Sequence, residues 1–416
     1  MHEVSHGQSQ NQGTLNDDSA QSTDNNIQSR DAHKQIVVED VTSQEGSNVD
    51  KKVLGRNSAD ISVATSLVNL GKTHEARGAY TKAEECYLEA LTIRRKIHGQ
   101  VHPDIMLLLQ HFGDLKSRQG ERKIAVSYYE EALSVHSQIY NGSQSENAER
   151  VALLAKIADA YEAIGDDGRA VKHLEEAISV DRKLPYSRER RLNTAVLLND
   201  LGLEYAKKSD YTFAINYYLE SLDIDKKTLG PNSTSESIAI TLHNLGSAYE
   251  SFSDYDNAVK YYEESLKTSK DTKHDKFDRG ITLYNLGNVH YRMNRFSRAI
   301  EVLSEALEFA NNRYINPSED IASILNMIGM AHFALEQYQM SLKFFTDAYE
   351  MRKKIYGEDA VNTALATSLN NLARVFEELK RCNDAAEYYG KSVRMKKRLH
   401  GRGKRNPKIP SSNRGL

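Results

Sequence analysis

One phrase recurs eight times along the 416 residues of this chain. A good copy reads Leu242-His243-Asn244-Leu245-Gly246, then Tyr249, then Tyr255-x-x-Ala258-x-x-Tyr261-Tyr262-x-x-Ser265-Leu266. Aligning the small residue after the Leu, Ile or Phe gives Gly71, Gly113, Ala158, Gly202, Gly246, Gly287, Gly329 and Ala373, at intervals of 42, 45, 44, 44, 41, 42 and 44. A period of this length means one supersecondary unit copied and stacked. A second small residue follows about twelve positions later in every copy: Ala83, Ala125, Ala170, Ala214, Ala258, Ala299, Ser341 and Ala385.

The spacing inside each copy is helical. Leu242, Leu245, Gly246 and Tyr249 form an i, i+3, i+4, i+7 stripe, and Ala258, Tyr261, Tyr262, Ser265 and Leu266 form another. These are called helix A and helix B. Ser253-Asp254-Tyr255 makes the turn between them, with counterparts such as Gly78-Ala79-Tyr80, Asn294-Arg295-Phe296 and Lys380-Arg381-Cys382. A glycine inside helix A costs about 1 kcal/mol relative to alanine, so its recurrence implies that helix B approaches closely there. Helix B runs on by a turn or two and is closed by glycine, as in Met351-Arg352-Lys353-Lys354-Ile355-Tyr356-Gly357.

Composition bounds the rest. No apolar run approaches the ~20 residues that span a bilayer, and the polar start has no signal-peptide core. Cys86 and Cys382 lie in opposite end repeats and suggest no disulfide framework. A reducing, cytoplasmic setting is expected. Residues 1–57 are rich in Ser, Gln, Asn and Asp, and are expected to be disordered. Ile36-Val37-Val38 is their one apolar island. Residues 58–400 form the repeat array, and 401–416 a basic tail. Residues 1–57 carry nine acids and five bases, whereas 394–416 carry nine bases and no acid. The run from Lys396 to Arg405 reads as a solvated helix end, as a nuclear-import or nucleic-acid segment, or as a contact for acidic surfaces, the chain's own body included.

The residues match the tetratricopeptide repeat. The longer unit resembles the repeats of kinesin light chains and nephrocystin-like proteins. The matches are Leu369-Asn370-Asn371-Leu372-Ala373, the linker Arg94-Arg95-Lys96-Ile97-x-Gly99-x-x-His102-Pro103-Asp104, and Met351 to Gly357. The resemblance implies an all-α fold: a right-handed superhelical solenoid of about eight helical hairpins, with helix A lining the concave face. It implies a non-enzymatic adaptor or scaffold that binds extended peptide segments of partner proteins. Two departures stand out. Residues 1–57 lack the heptads of the kinesin light chain coiled coil, and repeat 3 is degenerate, with Lys156-Ile157-Ala158 and His173-Leu174. A kinesin-linked cargo adaptor and a G-protein or polarity scaffold are the alternatives.

Packing consumes the apolar positions, so specificity falls to the polar positions of helix A. Asn69, Asn244, Asn285 and Asn371 precede the Leu, and Asn199, Asn326 and Asn370 stand one residue earlier. An amide offers donor and acceptor and so can hold a peptide backbone. Together with Asn288 and Arg374 they are the expected peptide-binding residues. A carboxylate clamp would need lysines six and three residues before the small residue. Those series read Thr65, Leu107, Ala152, Val196, Ile240, Ile281, Ser323, Thr367 and Val68, Gln110, Ala155, Asn199, His243, Tyr284, Asn326, Asn370. Charges elsewhere on helix A are mixed, Glu75, Glu250 and Glu377 against Lys207, Arg292 and Arg374, which does not suit nucleic acid. His74, His290 and His332 replace an aromatic packing residue. His98 and His102 straddle a Gly and Pro loop with no third ligand evident. No catalytic constellation, cofactor loop or metal site is expected.

Overall fold

The protein was analysed as a computed structural model, which describes residues 61–140, 147–269, 279–313, 317–357 and 360–403. The polar N-terminal stretch 1–57 and the tail beyond 403 lie outside the described residues. The chain divides into two compact units, 1–184 and 185–416. Among the described residues, the first holds α1 (Ile61–Ala76), α2 (Tyr80–His98), α3 (Pro103–Arg118), α4 (Arg122–Tyr140), α5 (Asn147–Glu162) and α6 (Asp167–Asp181). The second holds α7 (Arg188–Lys207), α8 (Tyr211–Leu229), α9 (Glu236–Ser251), α10 (Tyr255–Thr268), α11 (Arg279–Arg292), α12 (Phe296–Arg313), α13 (Glu319–Ala334), α14 (Tyr338–Tyr356), α15 (Thr363–Glu378) and α16 (Cys382–Gly403). Odd-numbered helices are helix A, even-numbered ones helix B. Each packs most closely on its hairpin partner, then on the next hairpin of its unit. The result is an all-α solenoid of eight hairpins, three in the first unit and five in the second.

The recurring glycine has a more specific cause than close helix approach. A Cβ at Gly246 would stand 2.5 Å from the Tyr262 ring, at Gly202 2.6 Å from Tyr218, and at Gly329 2.7 Å from Phe345. Gly71 and Gly113 hold Tyr87 and Tyr129 in the same way, and Gly287 holds Leu303. In each case a helix B side chain sixteen residues later lies flat on the missing side chain. Tyr87, Tyr218 and Tyr262 are fully buried by it. Their hydroxyls need partners at that depth. Tyr87 donates to Glu75 (2.9 Å) and Tyr262 to Glu250 (3.1 Å), and the half-buried Tyr389 of the last repeat donates likewise to Glu377 (2.9 Å).

The second seam is the small residue further along helix B. Ser221, Ser265 and Ser392 donate to the carbonyls of Ala195, Ala239 and Ala366 at 2.7, 2.7 and 2.8 Å. Buried alanines hold that place in the other five repeats: Ala90, Ala132, Ala177, Ala306 and Ala348.

The turn residue seven after each small residue is left-handed in all eight repeats. Glycine takes it at 78, 120 and 165, while Ser209, Ser253, Asn294, Glu336 and Lys380 do so with φ between 58° and 66°. This conformation closes helix A: the next residue donates back across the turn, as Ala79 N–H does to His74 O (2.8 Å). The glycines that end long helix B segments also sit at positive φ, 77° at Gly99, 103° at Gly230 and 92° at Gly357.

Between repeats, buried charge ties one hairpin to the next. Arg352 on α14 donates to Glu319 (2.8 Å), Ser323 (3.2 Å) and Ser368 (2.8 Å), joining α13, α14 and α15. Arg94 does the same in the first unit, reaching the Asp104 carbonyl at 3.2 Å. Among the described residues no helix is long and apolar enough to cross a membrane.

Candidate functional site

Helix A of successive repeats in the second unit lies side by side, α7 beside α9, α9 beside α11 and α11 beside α13. Their aligned positions therefore form rows across one face. Six residues before the small residue the row runs Val196, Ile240, Ile281, Ser323 and Thr367. Val196 and Ile281 are each 52% exposed, the most exposed of the large aliphatics among the described residues. The row was informative in sequence only as a lack of lysine, yet three aliphatics in consecutive repeats, two of them exposed, are a legible signal.

A cavity of about 290 Å³ opens on this row. Gly280, Ile281, Tyr284 and Asn285 of α11 form one wall, Asp320, Ser323 and Ile324 of α13 the other, and Ala310 of α12 the base. That is just below the usual size of small-molecule pockets and suits a single inserted side chain. Burial raises the Tyr284 phenol, keeping it a neutral donor. Asn285 lies near the Tyr262 hydroxyl of the preceding repeat and offsets part of the rise that burial imposes on it.

The other expected residues fall into distinct groups. Asn244 donates to Asn199 (3.1 Å) and Asn371 to Asn326 (2.9 Å), each spanning 45 residues from one helix A to the next. These amides are partly consumed in stapling neighbouring repeats, and Asn371 is buried. Asn326 directs its amide at the Met330 sulfur (3.7 Å). Asn288 donates to Glu250 (2.8 Å). Asn370 is half-buried. Arg374 is exposed and lays its guanidinium 4.7 Å from the Phe333 ring centre. Asn69 is exposed on α1, in the other unit. The acids expected to face a ligand are also partly engaged. Glu75, Glu250 and Glu377 accept from tyrosines, and burial raises the Glu250 carboxyl despite Tyr262, Arg292 and Asn288.

His243 occupies the same face. Its Nδ1 meets the Thr282 hydroxyl at 2.8 Å, and burial lowers its pKa to about 4. His332 stacks on Phe344 with ring centres 5.3 Å apart, as an aromatic substitute should. In the first unit the structure adds the third group that sequence did not supply: His98, His102 and Asp104 offer ligand atoms within 4.8 Å of one another. Their arrangement favours structure over metal. The two rings are stacked face to face, 3.9 Å apart and 8° from parallel, so their lone pairs do not converge. His102 Nδ1 already caps α3 by accepting from Asp104 N–H (3.2 Å), and Arg94 stands 3.7 Å from the Asp104 carboxylate.

Comparison with known proteins agrees with the hairpin stack. A tetratricopeptide repeat model matches residues 62–138, 149–227, 192–271, 237–312 and 320–398, most of the chain. The chain belongs to the tetratricopeptide repeat family. Its fold is thus that of a protein-interaction scaffold. Over 118 residues it is 25% identical to Protein KINESIN LIGHT CHAIN-RELATED 1 of Arabidopsis thaliana, covering 28% of this chain and 19% of that protein, so the match spans about a fifth of the relative's length. Two solved structures resemble it in fold at low identity. The apo form of RapI gives a TM-score of 0.58 at 19% identity, over 91% of this chain and 97% of RapI. A STAND protein with a tetratricopeptide repeat sensor from Pyrococcus horikoshii gives 0.54 at 14%, over 88% of this chain and 54% of that one. Both similarities concern the fold alone.

Proposed function

We propose that this chain is a non-enzymatic, cytoplasmic adaptor whose second unit binds extended peptide segments of partner proteins along helix A. The observation that carries the reading is the side-chain-sized cavity of α11 and α13, with half-exposed Ile281 beside the Asn285 amide. An extended peptide needs two things from such a face: an apolar seat for one side chain and amides for its backbone. Ile281 and Ile324 supply the first. Asn285 and Asn370 supply the second, with Asn199, Asn244, Asn326 and Asn371 holding the rows in register. Arg374 and Asn288 flank the path.

A displayed random-peptide library tests this. Selection on the full chain should enrich peptides with an aliphatic or aromatic residue at one fixed position. Ile281→Glu should abolish their binding, while Phe213→Glu on the outer face of α8 should not. Peptides indifferent to Ile281→Glu would sink the reading.

The Arabidopsis match favours a second reading, a cargo adaptor of kinesin light chain type. Co-purification with a kinesin heavy chain would support it. Capture of cargo peptides without any heavy chain would remove it.

A further inference from the structure

One position of helix B is acidic in seven of the eight repeats. It stands six residues after the small residue and runs from Glu89 in the first repeat to Asp347 in the seventh. A base reaches this acid from one of two places. The first is twelve residues after the small residue of the preceding helix B: Arg95 donates to Glu131 (2.8 Å) and Lys226 to Glu264 (2.6 Å). The second is eight residues before the small residue of helix A: Arg150 donates to Glu176 (2.5 Å), and Arg279 stands 3.7 Å from Glu305. Repeat 7 keeps the acid and has neither base. Its two base positions hold Asn311 and Ile321.

A cleft of about 460 Å³ opens at this point, between α12 and α14 and over the start of α13. Asn311, Ile321 and Asp347 all line it. Leu307, Leu325 and Met351 join Ile321 in an apolar floor, and Glu350 and Lys354 complete the rim. Glu350 accepts from Lys353 (3.4 Å). Lys354 lies seven residues beyond Asp347 on the same helix, a rise of about 10 Å. Among the described residues Asp347 has no ion pair and no hydrogen bond. The volume falls within the usual range of ligand sites. An apolar floor beside a carboxylate that lacks its base fits a long aliphatic cation, because lysine and arginine lay their methylenes on apolar surface and carry the charge at the tip.

We propose that this cleft binds a lysine or arginine side chain of a partner protein, with its stem on Leu307, Ile321, Leu325 and Met351 and its charge on Asp347. The incoming side chain takes the place that Arg95 and Lys226 fill from within the chain in other repeats. The site uses α12 and α14, not the helix A face, so it stands or falls independently of peptide binding there.

A displayed random-peptide library tests the proposal. It is selected on the full chain carrying Ile281→Glu, which removes the helix A seat and keeps the two sites distinguishable. The expected binders share a lysine or arginine next to aliphatic residues, and replacing that base by glutamine should weaken them several-fold. Asp347→Asn should weaken them by a similar factor. So should Asn311→Lys, which supplies the base from within the chain and closes the site. Circular dichroism checks that both variants keep their helicity. Glu301→Gln, on α12 outside the cleft and engaged with Arg298 (2.8 Å), should change nothing. The proposal is overturned if no peptide is enriched, if the enriched peptides lack a base, or if both cleft variants bind them as well as the parent does.

Discussion

Glycine 246 illustrates how far a single residue type can be read. Its recurrence in helix A signals a size limit, and the limit is real. What imposes it is the ring of Tyr262, sixteen residues away, and not the helix B backbone. The same pairing in repeat 3 is Ala158 with Leu174, a methyl with a smaller partner. The two positions should therefore be energetically coupled. Gly246→Ala gains about 1 kcal/mol of helix propensity but meets overpacking of ~1–3 kcal/mol, so a small net loss is expected. Combined with Tyr262→Leu, the pair should lose less than the sum of the single changes by at least ~0.5 kcal/mol in urea melts. Strict additivity would mean that the ring and glycine do not interact. His243 supports a second test. Its folded pKa of about 4 lies below the ordinary 6.5, so the unfolded chain takes up the proton first. The associated stability is complete above about pH 6.5 and is lost progressively toward pH 4. Between pH 7.5 and 5.0 the loss should be roughly 2 kcal/mol, and His243→Asn should remove that part of the slope. Asp225 and Glu250, held up by burial, act in the opposite sense and are common to both proteins. An unchanged slope in the variant would place His243 in contact with water.

At the scale of the element, the hairpin is nearly complete in the sequence, and its hinge is not. The apolar stripes place both helices, and Gly78, Gly120 and Gly165 mark the turn. Ser209, Ser253, Asn294, Glu336 and Lys380 take the same left-handed backbone without a residue type that announces it. The requirement comes from helix closure, which is shared by all eight turns, so it overrides local preference. Glu336→Gly should then stabilise the protein by up to about 1 kcal/mol, because a left-handed side chain costs ~1–2 kcal/mol and glycine's greater unfolded entropy offsets part of the gain. A fall in melting temperature would show that the Glu336 side chain contributes more than its backbone costs. The amide staples were hidden for a related reason. Asn199 and Asn326 look like free surface residues until the next helix A arrives 45 residues later and meets their oxygens. Likewise Asp104 joins His98 and His102 only because α2 ends against the start of α3.

Over the whole molecule, eight hairpins follow directly from the period, whereas the division into two units does not, and the proposed binding face follows only in part. Of the residues the sequence singles out for peptide binding, Asn285 lines the cavity. The sequence does not single out Ile281, because an aliphatic in a helical stripe reads as core until its exposure is known. Nor does it separate amides that face a ligand from amides that bind each other. The central claim is that a partner's side chain enters between α11 and α13. The most direct measurement uses a selected peptide carrying a photo-reactive group at its central apolar residue, linked to the full chain and mapped by mass spectrometry. The account predicts attachment within residues 280–285 and 320–324, and its loss in the Ile281→Glu protein. Attachment confined to helix B residues, or unchanged by that substitution, would contradict it.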